Sequence, residues 1–259
     1  MTAQLKSARH GATLVLTLSN PEFRNAMGPD IYAAGVEALG AVERQPDVRS
    51  VVITGEGKHF CAGGNVQRLR ANRQLPREVQ AQSVEGMHAW IEAIHAFPKP
   101  VIAAVEGAAA GAGFSLALAC DMVVAARDAV FVMAYSNIGL SPDGGGSWAL
   151  GRKLPRGLAT ELLMNAQRIE AQRLYDLGMV NRVVDSGTTL GAALELAQAL
   201  NRRAPNALVS IKELLNEAQN RSLTDQLSLE AMHIVNNLHH VNGGIGIEAF
   251  LTKTEPQFE

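Results

Sequence analysis

The chain has 259 residues, 47% of them hydrophobic, and sets 23 Lys and Arg against 25 Asp and Glu. That length suits one large domain, or one with a helical appendage, and the apolar share suffices for a substantial core. The balanced charge argues against nucleic acid or an anionic membrane surface as partner. Two cysteines, Cys61 and Cys120, offer no disulfide framework, and the seven histidines form no metal-binding spacing, so no metal site is expected. The opening Met1-Thr2-Ala3-Gln4-Leu5-Lys6 lacks the apolar core of a signal peptide, which makes the cytoplasm the expected location.

In chain order, Thr13 to Leu18, bounded by Gly11 and Pro21, reads as a strand. Asn20-Pro21 starts a turn that carries Arg24, a residue able to hold a phosphate but ordinarily just solvated. The spacing predicts a helix over 29–44, with Pro29 in its first turn, and a second strand over Ser50 to Thr54. A glycine turn follows, Phe60-Cys61-Ala62-Gly63-Gly64-Asn65. Cys61 has no local His, Asn or Asp to activate it and reads as an inert buried thiol. Residues 66–80 carry Arg68, Arg70, Arg73 and Arg77, and read as a solvated helix or loop more readily than as a lid over an anionic ligand. An amphipathic helix over 83–97 stops at Pro98 and Pro100.

The stretch that organises the chain is Gly107 to Asp121, which follows the apolar run Val101 to Val105, so that Val101 to Cys120 is mostly apolar. Its length and apolarity raise a membrane span, against which stand Glu106 and the glycine and alanine at its centre. The better reading is a strand, Val101 to Val105, then a glycine turn, then a helix of small residues. Such a turn lets backbone approach a ligand closely, and the free N–H groups of a first helical turn suit a phosphate or an oxyanion. Short strands are expected at 122–126 and 129–132. Next, Pro142-Asp143-Gly144 reads as a turn, yet Gly144-Gly145-Gly146 exceeds what a turn needs and permits close approach to the Asp143 carboxylate. Helices are expected over 156–165, 171–177, 190–203, 207–220, 223–238 and 246–251, with a strand-like insert at 180–184.

Taken together these pieces resemble the crotonase (enoyl-CoA hydratase/isomerase) superfamily. They stand in family order: Asn20-Pro21 with Asn25-Ala26, Phe60 to Asn65, Gly107 to Gly113, Ala119-Cys120-Asp121, and Ile138 to Gly145. The resemblance spans nearly the whole chain. It implies an α/β fold, a ββα superhelix, with a spiral core and acyl-CoA site in 1–200. A C-terminal helical region, 201–259, would then form trimers or dimers of trimers. It implies an acyl-CoA substrate, with coenzyme A as part of that substrate and no other cofactor. Matched by position, the backbone N–H groups of Gly64 and Ala112 would form an oxyanion hole on the thioester carbonyl. Ala62 and the loop around Arg24 and Ala26 would lie near the CoA moiety, with Gly63, Asn65, Gly111, Ser115, Tyr135 and Gly144 as further substrate-binding residues.

The chain departs from the family hydratases at their two glutamates, whose matched positions hold Ser115 and Tyr135. Neither is a carboxylate base near neutral pH. Asp143 remains, in an Ile-Gly-Leu-x-Pro-Asp setting similar to that of double-bond isomerases, including the enoyl-CoA isomerases of phenylacetate breakdown. The expectation is therefore isomerisation of an enoyl-CoA with Asp143 as acid and base, Tyr135 lining the acyl pocket more readily than donating a hydrogen bond. The alternatives are hydratase-type activity, an aryl-CoA dehalogenase with Asp143 as nucleophile, and a CoA-ester binder without chemistry.

Overall fold

The structure, a computed structural model, describes residues 3–259. Its strands are β1 (Gln4–His10), β2 (Thr13–Ser19), β3 (Ser50–Gly55), β4 (Val101–Val105), β5 (Ala108–Ala110), β6 (Met122–Ala126), β7 (Val130–Val132), β8 (Ile169–Glu170) and β9 (Arg182–Val184). Its helices are α1 (Pro29–Val42), α2 (Val66–Asn72), α3 (Arg77–Ala96), α4 (Ala112–Ala119), α5 (Gly146–Lys153), α6 (Arg156–Met164), α7 (Ala171–Asp176), α8 (Thr189–Asn201), α9 (Pro205–Ala218), α10 (Leu223–His239) and α11 (Val241–Thr252).

The large sheet runs β1-β2-β3-β4-β6-β9. Only the β1–β2 hairpin is antiparallel; the remaining pairs are parallel. A parallel sheet is covered on both faces, so its inner strands read as unbroken apolar runs. Every residue of β4 is buried accordingly. On one face, Ala193 and Ala197 of α8 pack against Val15, Val52, Ile102 and Val124. On the other lies the larger cluster containing Leu16, Ile53, Trp90, Ile94 and Ala103, to which α1 and α3 contribute.

A second row of short pairings runs beside the sheet. In it β5 pairs with β7 in parallel and β7 with β8 antiparallel. Single bridges, Cys61 to Ala109 and Met27 to Gly64, extend the row. Each turn of the chain thus gives one strand to the large sheet, one short piece to the second row, and a helix: a ββα spiral. The second row brings the glycine turns at 60–65 and 107–113 side by side.

Several elements differ from the sequence reading. Val101 to Cys120 is β4, β5 and α4, not a span, and no helix among the described residues is long and apolar enough to cross a membrane. β1, β5, β8 and α5 are additional. Residues 66–80 hold α2 and the first turn of α3, which starts at Arg77, and α11 starts at Val241.

Helices α9 and α10 bury no residue fully, and Leu215, Leu227, Ile234, Leu238, Phe250 and Leu251 are exposed on α9–α11. This region is fastened to the spiral by Lys212, whose ammonium meets Asp121 at 2.9 Å and the Ile94 carbonyl at 3.1 Å. The Asp121 carboxylate also accepts the Val101 N–H at 2.7 Å.

Candidate active site

One wall of the site is main chain. Cys61 donates to the Ala108 carbonyl at 3.0 Å and its own carbonyl accepts from Ala110 at 2.9 Å, which locks the 60–65 turn onto β5. The two turns then touch with no room for side chains. A Cβ on Gly113 would stand 2.4 Å from the Cys61 oxygen. One on Gly63, whose φ is +94°, would stand 2.7 Å from the Ala110 oxygen and 3.3 Å from the Ala112 nitrogen. Only glycine permits either approach. The Gly63 carbonyl accepts from Met27 at 2.8 Å, and Asn65 caps α2 by accepting from Gln67 and Arg68. Two of the N–H groups left over belong to residues that line a cavity. Among the described residues, neither Gly64 nor Ala112 has an acceptor for its N–H, and both residues line one cavity of about 530 Å³. Ala112 is the first residue of α4, so the positive end of that helix dipole faces the same space.

The facing wall is made of side chains. The Tyr135 hydroxyl donates to Asp143 Oδ1 at 2.6 Å. The Ser115 hydroxyl donates to the Asp143 carbonyl at 3.0 Å and lies 3.4 Å from the Tyr135 oxygen. The loop carrying Asp143 is closed by Leu140 N–H on the Tyr135 carbonyl (3.0 Å) and Gly146 N–H on the Asp143 carbonyl (3.2 Å). The glycine run lets this loop settle onto α4: a Cβ on Gly146 would stand 2.7 Å from Ser115 Oγ. Burial, then the Asp143 charge and the hydrogen bond to it, push the Tyr135 phenol above its ordinary range. The proton therefore stays on Tyr135 and Asp143 accepts. Among the described residues Asp143 Oδ2 has no hydrogen-bond partner, and Asp143 is the one carboxylate lining this cavity.

Of the residues expected from sequence, Ala62, Gly63, Gly64, Asn65, Gly111, Ala112, Tyr135 and Asp143 line this cavity together. Ser115 and Gly144 stand behind Asp143 and line a neighbouring cavity of about 460 Å³, with His95 and Trp148. Arg24 is exposed and Ala26 buried, and neither lines the main cavity. Arg24 instead supports it through its carbonyl, which accepts from Ala62 at 2.9 Å. Cys61 is fully buried, and burial pushes its thiol up to about 12, as an inert thiol requires. Tyr135 lines the cavity, and its hydroxyl also donates a hydrogen bond to Asp143.

The sequence reading missed Tyr32, Arg68, Gln80, Ser83 and His88, which also line the cavity. A signal existed for two of them. The core-facing positions of α3 are Ser83, Met87, Trp90 and Ile94, so Ser83 is a polar residue on an apolar stripe, with Gln80 three residues earlier. Arg68, read as solvated, is half-buried in the cavity wall.

A family model described as enoyl-CoA hydratase/isomerase matches residues 8–259. The 1,2-epoxyphenylacetyl-CoA isomerase of Escherichia coli (strain K12) is 37% identical over 246 residues, 95% of this chain and 94% of the relative. The 2,3-dehydroadipyl-CoA hydratase of the same organism is 33% identical, covering 99% of each chain. A solved structure described as an enoyl-CoA hydratase from Polaromonas sp. JS666 is 67% identical, covers 98% of this chain and 99% of its own, and superposes with a TM-score of 0.98.

Proposed function

The chain belongs to the enoyl-CoA hydratase/isomerase family, the crotonase superfamily, and on that premise we propose that it moves the carbon–carbon double bond of an unsaturated acyl-CoA. The thioester oxygen sits between the N–H groups of Gly64 and Ala112. Asp143 Oδ2 takes a proton from C2 of a 3-enoyl thioester. The C–H electron pair moves into the conjugated system and negative charge gathers on the thioester oxygen. The same carboxyl then returns the proton to C4, leaving a 2-enoyl thioester and a regenerated carboxylate. No water, metal or redox partner enters the balance. Each backbone donor is worth about 2.7–4 kcal/mol in the transition state, and a positioned base roughly 10²–10⁴-fold in rate. Tyr135 holds Oδ1 and so aims Oδ2.

One observation carries this reading: a lone carboxylate, tethered by a single oxygen, shares a cavity with two unpaired backbone N–H groups. The 37% identical relative, a 1,2-epoxyphenylacetyl-CoA isomerase, supports isomerisation as the class of reaction, its own substrate being an epoxide and not an alkene. Hydration is the second reading, favoured by the 33% identical 2,3-dehydroadipyl-CoA hydratase and the 67% identical structure described as an enoyl-CoA hydratase. The absence of both hydratase glutamates, replaced by Ser115 and Tyr135, weighs against it. The test is to incubate the enzyme separately with 3-enoyl-CoA and 2-enoyl-CoA and weigh the products. Isomerisation converts the first without mass change; hydration adds a water to the second.

The exposed apolar faces of α9–α11 support self-association, as a trimer or a dimer of trimers, through residues 201–259. Light scattering in solution reads that number directly.

A further inference from the structure

We propose that Arg68 selects acyl groups that end in a second carboxylate. The proposal rests on the reading above, in which the cavity receives the acyl chain of a CoA thioester. Arg68 sits on α2, and that short helix is fixed to the oxyanion turn, because the Asn65 side chain accepts the Arg68 N–H at 3.2 Å. The side chain is half-buried and lines the same cavity as Gly64, Ala112 and Asp143. Its Nη1 lies against the main chain at Gly28, where a Cβ would stand 3.0 Å away.

What sets Arg68 apart is that its guanidinium meets no acceptor among the described residues. More exposed arginines do: Arg9 bonds Asp47 at 2.6 Å, Arg221 bonds Glu217 at 2.9 Å, and Arg127 pairs with Asp185 at 3.5 Å. Arg70, Arg73 and Arg77 are exposed to solvent. A cation partly removed from water with nothing to pair is costly, so it calls for an anion. Asp143 is not that anion, since no ion pair joins the two and Oδ1 is already held by Tyr135.

The surroundings fit a carboxylate. The Tyr32 hydroxyl has no hydrogen-bond partner among the described residues, and Tyr32 lines the same cavity, within the electrostatic reach of both Asp143 and Arg68. Gln80 lines it too, held by Asn72 at 2.7 Å. A chain with its reacting carbons at Asp143 and a carboxylate at its far end would give the arginine fork two acceptor oxygens and the phenol one. A hydrocarbon chain of the same length would seal Arg68 from water unpaired. The phosphates of CoA are a poorer match, because the pantetheine arm carries them well away from the thioester that Gly64 and Ala112 hold.

Saturated thioesters test this without turnover. Butyryl- and succinyl-CoA, hexanoyl- and adipyl-CoA, octanoyl- and suberyl-CoA form pairs of equal length, and calorimetry compares each pair on the wild type, Arg68→Met and Arg68→Lys, with free CoA as reference. In at least one pair the carboxylated member binds the wild type about tenfold tighter or more. Arg68→Met abolishes that preference, Arg68→Lys keeps part of it, and neither changes the affinity for free CoA. Equal affinity within every pair overturns the proposal. So does a loss for free CoA in Arg68→Met as large as for the carboxylated thioester, which would assign the arginine to the CoA phosphates. No step of the isomerase reading enters these binding measurements, so that reading and this one fail separately.

Discussion

The two walls of the cavity are held by different means. The wall carrying Gly64 and Ala112 is main chain pinned by a strand bridge, and its tolerance is set by two glycines that admit no Cβ. The wall carrying Asp143 is a phenol, a hydroxyl and a glycine loop, each replaceable by one substitution. The difference teaches how one fold hosts several reactions. On the proposed reading, the grip on a thioester oxygen is written into backbone spacing, whereas the fate of the neighbouring carbons is written into the side chains opposite.

Substitution on the side-chain wall gives the sharpest break. Asp143→Asn lowers kcat by on the order of 10²–10⁴, while the dissociation constant of a saturated acyl-CoA stays within about twofold. Turnover retained in that variant would remove the acid wall from the account. Next comes the backbone wall. Gly113→Ala drives a methyl into the Cys61 carbonyl, only 2.4 Å away, and parts the turns. It lowers kcat by about 10²-fold and also weakens thioester binding, with a lower melting temperature from overpacking of about 1–3 kcal/mol. Loss of binding should thus accompany loss of rate on this wall alone.

Tyr135→Phe sits between. It frees Asp143 Oδ1 while the carboxylate remains, so kcat falls about tenfold and KM moves less, an effect of the size of one charge-assisted hydrogen bond. A fall as deep as that of Asp143→Asn would make Tyr135 the proton carrier. The smallest effect belongs to Cys61, which gives the backbone wall its main chain and whose thiol makes one weak contact there, accepting the Gly63 N–H at 3.3 Å. Cys61→Ala keeps kcat within about twofold, and the native thiol resists alkylation near pH 8. Burial raises that thiol from 9.0 to about 12, so its contribution to stability is whole below 9.0 and is lost as pH rises through 12. Below that window the melting temperatures of the wild type and Cys61→Ala should differ by a constant offset, from the buried sulfur atom removed, and within it the wild type alone should lose stability through this group.

The backbone wall was legible in the sequence because its glycines recur in a fixed order after apolar strands. Asp143 was legible because three glycines follow it. What stayed hidden has physical causes. β5 is three alanines and β8 two residues, with too little β-branched or aromatic character to stand out, and both exist only through neighbours in the second row. α5 begins with Gly146 after a left-handed Gly145, a poor helix start by propensity, adopted because the loop must pack on Ser115. Arg68 is one of several closely spaced arginines. Which of them turns inward depends on the rotation of α2 set by the Asn65 cap, and α2 buries no residue whose spacing could reveal it. The hydroxyl of Tyr135 reaches Asp143 across a non-repetitive loop, where spacing along the chain carries no direction.

The central claim, one carboxylate moving one proton beneath an oxygen held by two amides, is tested most directly by running the reaction on a 3-enoyl-CoA in deuterated water. The account predicts 2-enoyl product with deuterium entering only at C2 and C4 and no added oxygen mass, and it predicts that Asp143→Asn stops both migration and exchange. A product heavier by one water, or migration without any exchange or transfer involving C2, would contradict it.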